Sequence, residues 1–418
     1  MKILVLNAGS SSHKCCLYRI EEVIPEHPPT PLWEAQLDWH DQNNATLIVE
    51  TIQGHRLKEG LSSVSRSDAL LHLLETLWKG STQVLQRLAE IDVVGHRVVH
   101  GGQAYRSSVV VTSEVKDAIA SLIPLAPSHN PANLEGIEII EQLLGNVPQV
   151  AVFDTAFHSH MPDVAAIYPG PYDWIEQGIR RYGFHGISHQ YCTQRTFQIL
   201  GREVERLIIC HLGNGASLTA VQNGQSINTT MGYTPLDGLM MGTRSGAVDP
   251  GILIHLIRQG YSADQLDRLL NKESGLKGIS GVSHDLRVVE DAIATGNKRA
   301  KLARELYLHR LKSCLGEMLM SLGGLDALVF TAGVGEHSAS IRAETCAALT
   351  FLGLKLDPAQ NESSTVDQEI STADSTVRVL VIKTQEDFAI AQACVDSATA
   401  LFGIISPMPE RMPLLSDG

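Results

Sequence analysis

The sequence predicts an α/β fold made of two duplicated units, and three observations carry that reading. The chain has 418 residues, too many for one hydrophobic core. Strand, Asn/Gly/Ser turn and strand follow one another twice, over 3–20 and over 206–222. A later strand in each half runs into a glycine-rich turn, at His100-Gly101-Gly102 and at Thr331-Ala332-Gly333. The repeat lies in element order rather than in residue identity. Two such units facing each other leave a cleft suited to a phosphate-bearing ligand.

Composition narrows the class. Hydrophobic residues make up 44% and charged residues 19%, the balance of a globular domain. A formal net charge of −13 argues against nucleic acid or anionic membrane as the main partner. The first apolar run stops at Asn7, too short for a signal-peptide core, and no later run reaches membrane-spanning length. Seven cysteines without a CxxC spacing predict reduced thiols and a cytoplasmic protein.

Taken in order, residues 3–6 and 15–20 read as a hairpin around the polar turn Asn7-Ala8-Gly9-Ser10-Ser11-Ser12. Gly9 leaves the backbone bare, so the N–H groups and the hydroxyls of Ser10 and Ser12 can face phosphate oxygens. Asn7 can hold a metal-bound water, and Lys14 can reach a phosphate. Four prolines over 25–31 mark a surface loop, and 35–53 reads as further strands around Asp41-Gln42-Asn43-Asn44. Leu70, Leu71, Leu73, Leu74 and Leu77 predict a core-facing helix over 67–89. A strand at 91–94 leads into GHRVVHGG, and 114–122 is helical up to Pro124. Residues 126–133 form a rigid turn before a helix over 134–144. Residues 150–153 form a buried strand with Asp154 at its C-terminal end.

In the second half, RRYGFHGISH at 180–189 is a loop before a helix. HLGNGAS follows the strand at 206–210, and Arg244 sits on a loop of turn-formers. Ser283-His284-Asp285-Leu286-Arg287 follows a Gly/Ser loop, and a helix covers 298–321. A strand at 325–330 enters the glycine-rich turn 331–337, and a strand at 377–382 enters Thr384-Gln385-Glu386-Asp387. A helix over 388–401 and a tail close the chain.

Nine segments in order then resemble one family. They are NAGSSSHK at 7–14, GHRVVHGG at 95–102, HNPAN at 129–133, VFDTAFH at 152–158, RYGFHGISH at 181–189, HLGNGAS at 211–217, MGYTPLDGLMMGTRSG at 231–246, SGVSHDLR at 280–287 and FTAGVGE at 330–336. Together they resemble the acetate and butyrate kinase family, which is similar in fold to sugar kinases, actin and the heat-shock chaperone ATPases. The resemblance implies two duplicated ribonuclease-H-like (actin-like ATPase) domains with an active-site cleft between them. The first would span 1–156 plus 388–418 and the second 157–387. It implies reversible, Mg2+-dependent phosphoryl transfer from ATP to acetate, giving acetyl phosphate and ADP, with Mn2+ as an alternative metal and a homodimer as the assembly.

The resemblance also assigns residues. Nucleotide would lie along His211, Leu212, Gly213, Asn214 and Gly215, along Asp285, Leu286 and Arg287, and along Gly333, Val334, Gly335, Glu336 and His337. Lys14, with Ser10 and Ser12, would touch the nucleotide phosphates, and Asn7 and Glu386 would hold the metal. Arg97 would bind the carboxylate beside Val99, Phe184 and Pro235, with Asp154, His185 and Arg244 as catalytic groups. Taken singly, Arg97 fits a strand-end ion pair and Asp154 a helix cap; the ordered set gives them site roles. His129 reads as a turn-fixing hydrogen-bonder, and His158, His160 and His189 as structural.

The residue types suit that chemistry. One anion attacking another needs cationic donors, and arginine binds carboxylate or phosphate through two parallel hydrogen bonds. Acetate is already ionised at neutral pH, so no base is needed and Asp154 is expected to orient Arg97 or a metal-bound water. Four positions depart from the family pattern: His13, Ser128, His337 and Lys383. Ser128 stands beside His129 where a leucine lines the acyl pocket in relatives, which keeps a propionate or butyrate kinase open as an alternative. An ATPase module of actin or chaperone type is a further alternative, but it leaves Arg97, His185 and Arg244 unexplained.

Overall fold

The structure is a computed structural model that describes residues 1–9, 12–21, 24–41, 43–127, 129–363 and 366–402, with the backbone alone from 398 onward. Ser10 and Ser128 lie outside the described residues. The chain divides into two compact units: Met1–Ala156 with the segment from Gln385 onward, and Phe157–Thr384. Glu386 and Asp387, which the sequence reading placed at the end of the second domain, thus belong to the first unit.

The first unit is built on eight strands: β1 (Lys2–Ala8), β2 (Ser12–Arg19), β3 (Trp33–Trp39), β4 (Asn44–Thr51), β5 (Arg56–Ser62), β6 (Val93–Val98), β7 (Val109–Val110) and β8 (Gln149–Phe153). Their order across the sheet is β5-β4-β3-β2-β1-β6-β8-β7. β1 lies at the centre, antiparallel to β2 and parallel to β6, and its apolar run Ile3, Leu4, Val5 and Leu6 is buried on both faces. On one face, Leu70, Leu73, Leu74 and Leu77 pack with Leu17, Trp33 and Leu47 into one core. The helix carrying the leucines is Arg66–Glu75, shorter than the periodicity predicts. The Thr76 hydroxyl bonds the Leu73 carbonyl at 2.7 Å and accepts from Trp33 Nε1 at 3.1 Å. The next turns unwind there, and Leu77 reaches the core from outside the helix.

HNPAN is another difference: the helix is Asn130–Leu144, so the motif forms its first turn rather than a turn before it. Pro131 is tolerated because the first helical turn needs no N–H partner. The last helix, Glu386–Phe402, packs on β1 and β6.

The second unit carries β9 (Arg206–Leu212), β10 (Ala216–Gln222), β11 (Gln225–Thr229), β12 (Ala327–Thr331), β13 (Gln368–Glu369) and β14 (Arg378–Val381). Their order is β11-β10-β9-β12-β14-β13. Strands β11-β10-β9-β12-β14 repeat the directions of β3-β2-β1-β6-β8, two antiparallel pairings followed by two parallel ones. The duplication is therefore real at the level of topology. Residues 331–337, expected as a turn, enter the short helix Ala332–His337 directly from β12, with Ala332 at a left-handed φ of 63°. Among the described residues no helix is long and apolar enough to cross a membrane. All seven cysteines are buried and free of disulfides.

Candidate active site

In the first unit, the β1–β2 hairpin sets Asn7 opposite Lys14. Asn7 Nδ2 donates to Asp387 Oδ1 at 2.9 Å and lies 3.4 Å from Glu386 Oε2. Both acids open the helix Glu386–Phe402, whose N-terminal end favours negative charge. Desolvation pushes the Asp387 carboxyl above its ordinary range, against the pull of Asn7 and Lys14.

A second pair stands on neighbouring parallel strands. Arg97 is on β6, and Asp154 follows the end of β8. Arg97 Nη2 lies 2.9 Å from Asp154 Oδ2, and the Asp154 N–H donates to the Val98 carbonyl at 2.9 Å. Burial opposes the Arg97 charge, yet Asp154 and then Glu386 hold the guanidinium above its ordinary pKa. The asparagines of HNPAN brace this region. Asn133 Oδ1 accepts from the Val99 N–H at 3.1 Å, and Asn133 Nδ2 donates to the Ala8 carbonyl at 3.2 Å. Asn130 Oδ1 accepts from the His100 N–H at 3.2 Å. One helical turn thus ties the strand end beside Arg97 to the strand end beside Asn7.

In the second unit, His185 caps the helix Gly186–Leu200 at a left-handed φ of 57°. A non-glycine residue held there costs about 1 kcal/mol or more, a strain that concentrates at functional sites. Its ring stacks on His211 with centroids 4.1 Å apart. A Cβ at Gly215 would lie 3.4 Å from His185 Nε2 and 3.5 Å from Arg244 Nη1. The imidazole and the guanidinium therefore converge on bare backbone at the tip of HLGNG. Arg244 Nη1 also lies 3.3 Å from the Pro235 carbonyl, and burial lowers its pKa. Phe184 is buried, and its carbonyl meets His158 Nε2 at 3.1 Å.

The loop itself is fixed by its backbone. Gly213 N–H donates to Gly215 O at 3.0 Å, and Gly242 N–H to Asn214 O at 3.0 Å, while Leu212 is buried in β9. Asp285 caps the helix Leu286–Ala294 by accepting from the Arg287 N–H at 2.9 Å, and it pairs with the Arg287 guanidinium at 2.6 Å. Leu286 is buried and Arg287 exposed. Gly333 has an open Cβ direction, and Val334, Gly335 and exposed His337 continue its short helix. Glu336 Oε1 accepts from the N–H groups of Ala332 and Thr384, both at 3.0 Å, so it clamps two loops.

Sequence reasoning missed Asp387, Ser217 and His189. Asp387 directly follows the expected metal ligand Glu386. Ser217 sits inside HLGNGAS, with its hydroxyl 2.9 Å from His185 Nδ1 and 2.7 Å from His189 Nε2. The spacing of His185 and His189, four residues apart at a helix start, was the available signal.

Residues 2–392 match the acetokinase family. The chain belongs to that family. It is 78% identical over 394 residues to the acetate kinase of Acaryochloris marina, covering 94% of this chain and 99% of that one. The crystal structure of Porphyromonas gingivalis acetate kinase superposes with a TM-score of 0.87 at 41% identity, covering 95% of this chain and 99% of the other. A propionate kinase from Francisella tularensis superposes with a TM-score of 0.85 at 40% identity, covering 94% and 99%. As a member of this family the chain is a kinase of the actin-like ATPase fold.

The family implies a divalent metal, and the donor set fits one. Glu386 and Asp387 offer hard oxygens beside the Asn7 amide, the ligand type of a hard divalent cation. Among the described residues no cluster of three or more His, Cys, Asp or Glu forms a cage of its own.

Proposed function

We propose that this chain transfers the γ-phosphoryl group of ATP to acetate, reversibly, giving acetyl phosphate and ADP. The observation that carries the reading is the approach of His185 Nε2 and Arg244 Nη1 to the bare backbone of Gly215. Phosphoryl transfer is accelerated by such preorganised donors, because charge spreads over the equatorial oxygens of the transferred group. Arg97 binds the acetate carboxylate, and Asp154 fixes the direction of its guanidinium. An acetate oxygen attacks the γ-phosphorus in line; the bond to the β–γ bridging oxygen breaks, and ADP leaves with the electron pair. Lys14 faces nucleotide phosphate from the first hairpin. Mg2+, or Mn2+ in its place, would be held by Asn7 and Glu386 and would neutralise phosphate charge. The family resemblance assigns Val99 of the first unit and Phe184 and Pro235 of the second to acyl recognition.

Propionate is the second reading. The resemblance to a propionate kinase favours it, as does the polar Ser128 beside His129. The family resemblance implies a homodimer, and Ile254 and Ile257, exposed three residues apart on one side of the helix Pro250–Arg258, offer it an apolar contact. Buried thiols and the acidic net charge fit a cytoplasmic enzyme. The test is hydroxylamine trapping of acyl phosphate with acetate, propionate and butyrate at equal ATP. The expected kcat/KM is highest for acetate, with propionate tolerated. Higher values for propionate or butyrate would reassign the substrate, and ATP hydrolysis without any acyl hydroxamate would remove the reading altogether.

A further inference from the structure

A hydroxyl shared between two histidines carries information about protons. Ser217 Oγ lies 2.9 Å from His185 Nδ1 and 2.7 Å from His189 Nε2. A hydroxyl has one hydrogen and two lone pairs; these two rings are the only partners of Ser217 Oγ among the described residues, so its hydrogen goes to one ring and it accepts from the other. His189 decides the direction. Its ring is fully buried, and no described atom lies within hydrogen-bond reach of its Nδ1. A buried N–H without an acceptor is rarer than an underused lone pair. The His189 proton therefore sits on Nε2. Burial, with His158 and His211 nearby, also disfavours a second proton on that ring. His158 and His211 are the rings beside it, with centroids at 5.7 and 6.1 Å.

The direction then propagates. His189 Nε2–H donates to Ser217 Oγ, and the Ser217 hydroxyl donates to His185 Nδ1. A nitrogen that accepts carries no proton, so neutral His185 holds its hydrogen on Nε2, the atom beside Gly215 and Arg244. We propose that His189 and Ser217 are positioning residues that set the tautomer of His185, so that a donor and not a lone pair faces the transferred phosphoryl group. The proposal rests on the phosphoryl-transfer reading for what His185 faces, and on the Ser217 geometry for its tautomer. With the reverse relay, neutral His185 would present a lone pair to an anion.

The test is a long-range 1H–15N spectrum of the full chain labelled with 15N-histidine, with His185 assigned by loss of its signals in His185→Gln. The expected spectrum of the unsubstituted protein above neutral pH shows His185 as the Nε2–H tautomer. Ser217→Ala is expected to move it toward a mixture. It should also lower kcat roughly 10- to 100-fold, with KM for acetate and ATP within about threefold. His189→Gln, which keeps a donor near the Nε2 position, should retain more activity than His189→Leu. A proton on Nδ1 of His185 in the unsubstituted protein overturns the proposal, and so does a Ser217→Ala variant with unchanged tautomer and unchanged kcat. Because the tautomer is read without turnover, an enzyme inactive on acetate with the expected spectrum would refute the functional reading and leave the relay intact.

Discussion

Arg97 and Asp154 form an ion pair 2.9 Å long in which the Asp154 side chain is 1% exposed and that of Arg97 15%. The two strands that carry them are parallel neighbours, so the pair is held by the sheet rather than by loops. Asp154→Asn keeps the shape and removes the charge that orients the guanidinium. Its kcat should fall about 100-fold, with a weaker response to added Mg2+. Asp154→Ala should lose about 3–5 kcal/mol of stability in urea unfolding, because Arg97 is left buried and unpaired. A change confined to the pH profile, with the Mg2+ response intact, would assign Asp154 to proton transfer instead.

Asp387 makes a similar argument in the opposite direction. Burial penalises its charge, and Asn7 is its 2.9 Å donor. Asp387→Asn should leave the metal-free protein as stable or more stable in a thermal melt, since a neutral amide loses less on desolvation. The Mg2+ concentration for half-maximal activity should rise about 10–100-fold, the usual cost of losing a group that orients a metal ligand. An unchanged Mg2+ requirement would confine Asp387 to packing.

Gly95 is required by close approach. A Cβ there would lie 2.6 Å from both Cys394 Sγ and Ile390 Cγ2, where β6 meets the last helix. Gly95→Ala should cost about 1–3 kcal/mol through overpacking. Adding Cys394→Ala should recover part of the loss, since the two sites touch and their effects are not additive. Equal unfolding midpoints for Gly95→Ala and the parent protein would contradict this packing.

Buried histidines, His189 among them, set an acid limit on stability. Burial lowers His13, His96 and His100 from 6.5 to about 4, and Arg66 adds to the effect at His13. The unfolded chain takes up these protons near pH 6.5 and the folded chain only near pH 4. Their contribution is therefore complete above pH 6.5 and is lost as the pH falls toward 4. Each group adds up to about 1.4 kcal/mol per pH unit to the slope. Urea midpoints between pH 6.5 and 5 should fall with decreasing pH, and His13→Leu should flatten the slope by one proton. A slope identical to that of the parent protein would show that His13 titrates normally.

Much of this was legible in the chain. The repeated strand–turn–strand order announced the two matching sheets because β1 and β9 are central and apolar. β5 was not legible, because RLKEGLS lies at a sheet edge and alternates exposed with half-buried residues. The helix at Arg66–Glu75 reads longer because its leucines continue past Thr76, yet it ends where the Thr76 hydroxyl bonds the Leu73 carbonyl and Trp33 Nε1. FTAGVGE reads as a turn because of its glycines, yet Glu336 reaches back to the Ala332 N–H and fixes a helix. His13, which no motif explained, is buried in β2 and held neutral. His189 reads as structural because it lacks metal-ligand spacing, and a hydroxyl relay leaves no spacing signature beyond the four-residue step.

The bonding of a carboxylate oxygen to the γ-phosphorus is the step most directly open to test. It is tested by a 31P spectrum of product made from ATP and acetate enriched with 18O in its carboxylate. A single acyl phosphate resonance, shifted by 18O in the bridging position, is the predicted result. An unshifted acyl phosphate line, or ADP and inorganic phosphate formed at a rate independent of acetate, would contradict it.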